Sequence, residues 1–249
     1  KSIGASAFSN CVGLASVDIP GTVYHIFEFA FSNCTGLTSL DIPNGVNSLW
    51  QGVFMNCSGL KYIALPDSID LIEKDVFYGC TNITHLDIGT ILNDFNWRNF
   101  YSNTAVTHVN IRNGLTYIAW SLFTKSERLT SVNIPGSVDN IADYAFSECT
   151  GLTSITILNG VRYIGKHVFS HCTSLMSIII PDSVTQICEF AFSGCISLQS
   201  IALSNNLTLV DNGLFKNCIN LRSIAIHNSS TSIGYNAFTN CSSLTSISI

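Results

Sequence analysis

Tyr62, His85, Asp87 and His108 are the residues of this chain whose types and spacing come nearest to a chemical site. Two imidazoles and a carboxylate carry the donor atoms of a zinc centre. The histidines, however, stand 23 residues apart, which is the interval at which the whole chain repeats. They therefore fall on neighbouring strands as members of a pattern, and no second set of residues marks them as a ligand motif. The expectation is a protein without a metal or other cofactor. Nine cysteines obey the same interval, at positions 11, 34, 57, 80, 149, 172, 195, 218 and 241. Equivalent positions in stacked coils lie about 4.8 Å apart with parallel Cβ vectors, whereas a disulfide wants Cβ atoms about 3.5–4.5 Å apart and converging. With no Cys-x-x-Cys spacing for zinc, they read as a column of buried thiols packed like small hydrophobes. Cys188 stands outside the column, where Gly4, Gly165 and Gly234 stand in other coils. A phosphate-binding glycine loop, a Gly-x-Ser-x-Gly elbow and a His-Glu-x-x-His pair are all missing, so the chain is not read as an enzyme.

The elements that must position these residues are set by the repeat. Phe occupies one phase eleven times, from Phe8 and Phe31 to Phe215 and Phe238, without a slip in spacing. Three residues after each Phe comes the cysteine column, interrupted by Asn103 and Ser126, and three further on a Leu, Ile or Val. A period of this length signals a solenoid whose coils cannot bury their apolar faces alone. In the coil that begins at Leu152, residues Leu152, Ile155 and Ile157 point inward and Ser154 and Thr156 outward, the alternation of a strand. A turn follows, with Pro20, Pro43, Pro66, Pro135 and Pro181 at its start in other coils. Val161 and Ile164 then add two apolar contacts and Gly165 a bend. The spacing predicts a parallel β-solenoid of about eleven 23-residue coils, read as one domain over 1–249.

Charged residues make up 11% of the chain, so its faces are mostly Ser, Thr, Asn and Gly. The net charge is −5 and no run of Lys or Arg occurs, which argues against nucleic acid as a partner. No apolar run is long enough to span a membrane. Both ends fall inside a repeat and carry no polar cap, so the chain reads as a piece of a longer protein whose bare end coils favour end-to-end self-association.

Departures from the repeat carry the binding candidates. One outward strand position is Ser in eight of eleven coils but Tyr62, His85 and His108 in three consecutive ones. Lys61, Asp87 and Asn110 flank this stripe, and an aromatic and polar cluster on a solenoid wall is what a protein contact centres on. On the far wall Trp97 and Trp120 share a phase in consecutive coils and are expected to stack, with Trp50 one phase earlier, either as a carbohydrate or protein contact or as cover for the gap where the cysteine column lapses. Between Gly89 and Arg128 the cysteine column lapses, and Gly89 and Arg112 take the place of Pro.

The pattern Leu-x-x-Ile-x-Ile-Pro-x-x-Val-x-x-Ile-Gly-x-x-Ala-Phe-x-x-Cys resembles the BspA-like leucine-rich repeats along the whole chain, most clearly from Ala145 to Pro181 and from Val184 to Cys195. One departure is that Ser68, Ser137 and Ser183, or Gly45, Gly114 and Gly160, fill the phase where the common leucine-rich consensus has an Asn or Cys ladder. The resemblance implies a leucine-rich-repeat solenoid or horseshoe. It also implies a cell-surface or secreted module of anaerobic bacteria or parasitic protists, which adheres to host matrix or cell-surface proteins. The alternative reading is an intracellular interaction scaffold or structural rod, toward which unpaired thiols lean.

Overall fold

The computed structural model describes residues 1–89, 105–226 and 232–248, which form two compact units, Lys1–Leu115 and Thr116–Ile249. Each unit is a parallel β-solenoid built from one kind of coil. The alternating Leu-x-x-Ile-x-Ile segment makes the first wall. In the first unit, Ser39–Asp41, Tyr62–Ala64, His85–Ile88 and His108–Ile111 pair in parallel. In the second, Ser131–Ile134 faces Ser154–Ile157, Ser177–Ile179 faces Ser200–Ala202, and Ser223–Ala225 faces Ser246–Ser248. Each residue sits opposite the one 23 positions on. A one-residue slip would turn every inward Leu and Ile to solvent, so the unbroken spacing holds the register.

The segment after the turn does more than supply two apolar contacts. It is a second parallel ladder of two-residue strands, with Ser2–Ile3, His25–Ile26, Ser48–Leu49 and Leu71–Ile72 in the first unit. In the second unit, Tyr117–Ile118, Asn140–Ile141, Tyr163–Ile164 and Gln186–Ile187 form the same ladder, and Leu209–Val210 pairs with Ser232–Ile233. In most of these strands the second residue, such as Ile26, Ile72, Ile141 or Ile164, is buried while the first faces outward, and the amides find their partners in the adjacent coil.

The Phe-x-x-Cys wall is a third ladder, made possible by left-handed backbone two residues before and two after each column Phe of the described coils. Around Phe31 these are Phe29 (φ 55°) and Asn33 (φ 58°), and around Phe146 they are Tyr144 (φ 60°) and Glu148 (φ 59°). The bends aim alternate amides at the next coil, so Phe29, Phe31 and Asn33 donate to the carbonyls of Gln51, Val53 and Met55 at 3.0, 2.9 and 2.8 Å. Each non-glycine residue held there costs roughly 1–2 kcal/mol, which inter-coil hydrogen bonding and side-chain stacking offset. Asn suits the position, and its amides chain together, Asn33 donating to Asn10 at 3.1 Å and Asn56 to Asn33 at 3.0 Å.

Between the walls lies the apolar core. Phe31, Phe54 and Phe77 are fully buried and stack at 5.5 and 5.8 Å, and Phe123, Phe146, Phe169, Phe192 and Phe215 repeat the arrangement in the second unit. All ten cysteines are free thiols. Column thiols donate to the carbonyl of the Phe 26 residues earlier, Cys57 to Phe31 at 3.0 Å and Cys195 to Phe169 at 3.1 Å. Burial pushes these thiols up, to about 12 at Cys57, Cys149 and Cys195. The Ser/Gly phase has its own bonding. Ser68 Oγ accepts the Gly45 amide at 3.1 Å and donates to the Val46 carbonyl at 2.8 Å, so a hydroxyl serves where an Asn ladder would.

Candidate binding wall

The outward faces of the first-wall strands carry the stripe. Strand register sets Tyr62 beside His85 and His85 beside His108, and in the next outward row Ala64 beside Asp87 and Asp87 beside Asn110. Alternation drives the intervening Ile63 and Leu86 into the core, which leaves Tyr62, His85 and His108 exposed. The imidazoles of His85 and His108 stack with centroids 4.5 Å apart and planes 3° from parallel. Lys61 is exposed just before the strand Tyr62–Ala64, and its carbonyl receives the amides of Thr84 and His85. Lys61, Tyr62, His85, Asp87, His108 and Asn110 therefore share one stretch of wall within the first unit.

Three features of this stretch were not read from the sequence. Thr84 Oγ1 lies 2.9 Å from His85 Nδ1, and Thr107 Oγ1 lies 2.8 Å from His108 Nδ1. Asp87 is not a bare carboxylate, because Arg112 Nε donates to it at 2.7 Å. Arg112 also reaches Asp67 at 3.3 Å and donates to the Leu65 carbonyl. A residue that replaces Pro in its own coil thus clamps the two coils before it, the physical content of the lapse in consensus. Beside the clamp a shallow open cleft of about 290 Å³ is lined by Asp41, Pro43, Asn44, Pro66, Asp87 and Arg112. Among the described residues no group of three or more His, Cys, Asp or Glu side chains could hold a metal ion.

On the turn wall Trp97 lies outside the described residues. Trp120 is exposed and meets the Tyr144 ring edge-on at 6.0 Å. Tyr144, His167 and Phe190 continue as a stack at 4.8 and 5.0 Å, each held in left-handed backbone. Burial lowers the His167 imidazole from its ordinary value. Phe190 ends the column over Gly213, where a Cβ would come within 2.2 Å of its ring. These rings cover one another and present edges to solvent. Trp50 belongs to the first unit and is tilted against Phe27 at 5.5 Å.

A family model described as BspA type leucine rich repeat region, in six copies, matches residues 1–130 and 117–245. The fold is similar to that of a leucine-rich repeat protein from Bacteroides ovatus, with a TM-score of 0.60 at 23% identity over 99% of this chain and 81% of that one. It is similar also to a leucine-rich repeat protein from Eubacterium ventriosum, with a TM-score of 0.59 at 20% identity over 98% and 81%. No curated protein matches the chain.

Proposed function

We infer the function of this chain from one premise, that it belongs to the BspA-type leucine-rich repeat family. Repeats of this family and fold are protein-interaction modules and are typically not catalytic. The finer reading is our proposal. The chain is a recognition or adhesion module, displayed at the cell surface or secreted, that engages host matrix or cell-surface proteins through the wall around Tyr62, His85 and His108. The observation that carries it is the contiguity of the stripe. Three consecutive coils replace an outward Ser with a larger aromatic or imidazole side chain, and strand register sets the three side by side. Lys61, Asp87 and Asn110 supply a polar rim to that centre, the anatomy of a protein contact. Trp120 is the second candidate contact, since an exposed indole adds area with a polar edge.

Binding of the purified chain to a panel of host matrix proteins, cells and glycans tests the proposal. Saturable binding to a protein of the panel is the expected result, and a folded sample that binds none of them would contradict it. That outcome would favour an intracellular scaffold, a reading toward which the ten free thiols lean because oxidising compartments usually pair cysteines. No helix among the described residues is long and apolar enough to cross a membrane.

A further inference from the structure

We infer that Thr84 and Thr107 lock His85 and His108 as a pair of outward hydrogen-bond acceptors, which receives a basic peptide segment at neutral pH and releases it in acid. The inference rests on the reading of this wall as the contact face and adds the chemistry of what it contacts. Thr at the start of a first-wall strand braces the coil before it. Thr84 Oγ1 donates to the Lys61 carbonyl at 3.1 Å and Thr107 Oγ1 to the Thr84 carbonyl at 3.0 Å. Thr153 and Thr245, which have no histidine beside them, do the same at 3.1 and 3.2 Å. A hydroxyl has one proton, and here the carbonyl takes it. Toward the imidazole the Thr oxygen can only accept, so Nδ1 of each ring carries the hydrogen. A neutral imidazole has one N–H, and Nε2 is left with a bare lone pair on both rings. Because the strands are in register and the rings lie 3° from parallel, the two acceptors face the same way about one strand spacing apart.

Acid can change this pair in one manner. Nδ1 is already protonated, so a proton enters at Nε2 and converts an outward acceptor into a charged donor, while the bond to Thr persists. Two imidazolium rings 4.5 Å apart also repel each other. The charges that face the pair favour a cationic partner. Tyr62 is its neighbour on one side with Lys61 beside it, and Asp87 and Asn110 stand in the adjoining row. Arg112 holds Asp87 and Asp67, and Asp41 opens toward the same cleft. Among the described residues, three carboxylates against two cations, on a chain of net charge −5, suit the N–H donors of Arg or Lys. Charge-assisted hydrogen bonds to Nε2 would form while the rings are neutral.

Two measurements test this. Nitrogen-15 shifts of the histidine rings in the free chain, at about pH 8 where imidazoles are neutral, are expected to show the Nδ1–H form at His85 and His108. The Thr84→Val, Thr107→Val double variant is expected to lose that bias, and Thr84→Ser, Thr107→Ser to keep it. Hexa-arginine is expected to bind the native chain at about pH 8 and at least about tenfold more weakly at about pH 5, the scale of one charged hydrogen bond. Hexa-glutamate serves as the comparison, expected not to bind at about pH 8. An Nε2–H form at either ring overturns the inference without touching the contact-face reading, since no partner is involved. The expected tautomers together with no hexa-arginine binding, or with equal binding at both pH values, overturn the basic partner. Whether the wall is a contact face at all is decided separately, by replacing the stripe with Ser.

Discussion

The residues that decide most in this protein are those held where an L-amino acid is least comfortable. Gly160 has φ 130°, and a Cβ there would sit 1.8 Å from the Gly136 carbonyl oxygen. Gly160→Ala is therefore expected to lower the unfolding free energy by more than about 1 kcal/mol, whereas a change within error would show that the turn can open at little cost. Part of this level is legible in the chain. Asn10, Asn33, Asn56 and Gly79 mark the left-handed position after Phe with the residues that tolerate it. The position before Phe is marked only in part, because Gly52, Asp75, Gly213 and Asn236 tolerate that backbone whereas Phe29, Tyr144, His167 and Phe190 adopt it with nothing in their type to announce it. The Tyr144, His167 and Phe190 rings are steadied by stacking along the coils, which depends on neighbours 23 residues away. The bonds between the His85 and His108 rings and the Thr84 and Thr107 hydroxyls were hidden for a related reason. A Thr-His pair in sequence does not say which way either side chain turns, and that is settled by the carbonyl one coil earlier.

At the scale of the elements, three parallel ladders enclose two columns, one of Phe and one of thiols. Phe146 is fully buried between Phe123 and Phe169. Phe146→Ala should cost about 3–5 kcal/mol, and an unchanged unfolding midpoint would show that the stack carries little of the stability. The thiols give a pH signature. Cys57, Cys149 and Cys195 are raised by burial from the ordinary 9.0 to about 12. The stability they contribute as neutral groups is whole below 9.0 and is lost as pH climbs toward about 12, because the unfolded chain ionises first. The unfolding midpoint should fall as pH rises above 9.0, and replacement of column cysteines by Ala should flatten that fall. A native chain should react with thiol reagents first at Cys11, the exposed member, and all ten should react in denaturant. The first wall and both columns could be read directly, since their residues keep one phase throughout. The second wall could not, because a two-residue strand such as Tyr163–Ile164 is too short to show an alternation. Arg112 was legible only as a missing Pro, and its clamp on Asp87 and Asp67 appears once the coils are stacked.

For the molecule as a whole, repetition makes family and fold explicit and leaves function to the places where repetition fails. A chain matched from residue 1 to 245 by one repeat family has few positions free to specify a partner. Those that break phase on the outward face, Tyr62, His85 and His108, are also the ones that register sets side by side. The measurement that tests this account most directly is binding of a responsive host protein by the native chain and by the Tyr62→Ser, His85→Ser, His108→Ser variant, which restores the common residue of the wall. The account predicts that the variant keeps the native unfolding free energy within about 1 kcal/mol, as exposed substitutions usually do, and loses most of its affinity. Undiminished binding by the folded variant would contradict it and move the contact to the face that carries Trp120.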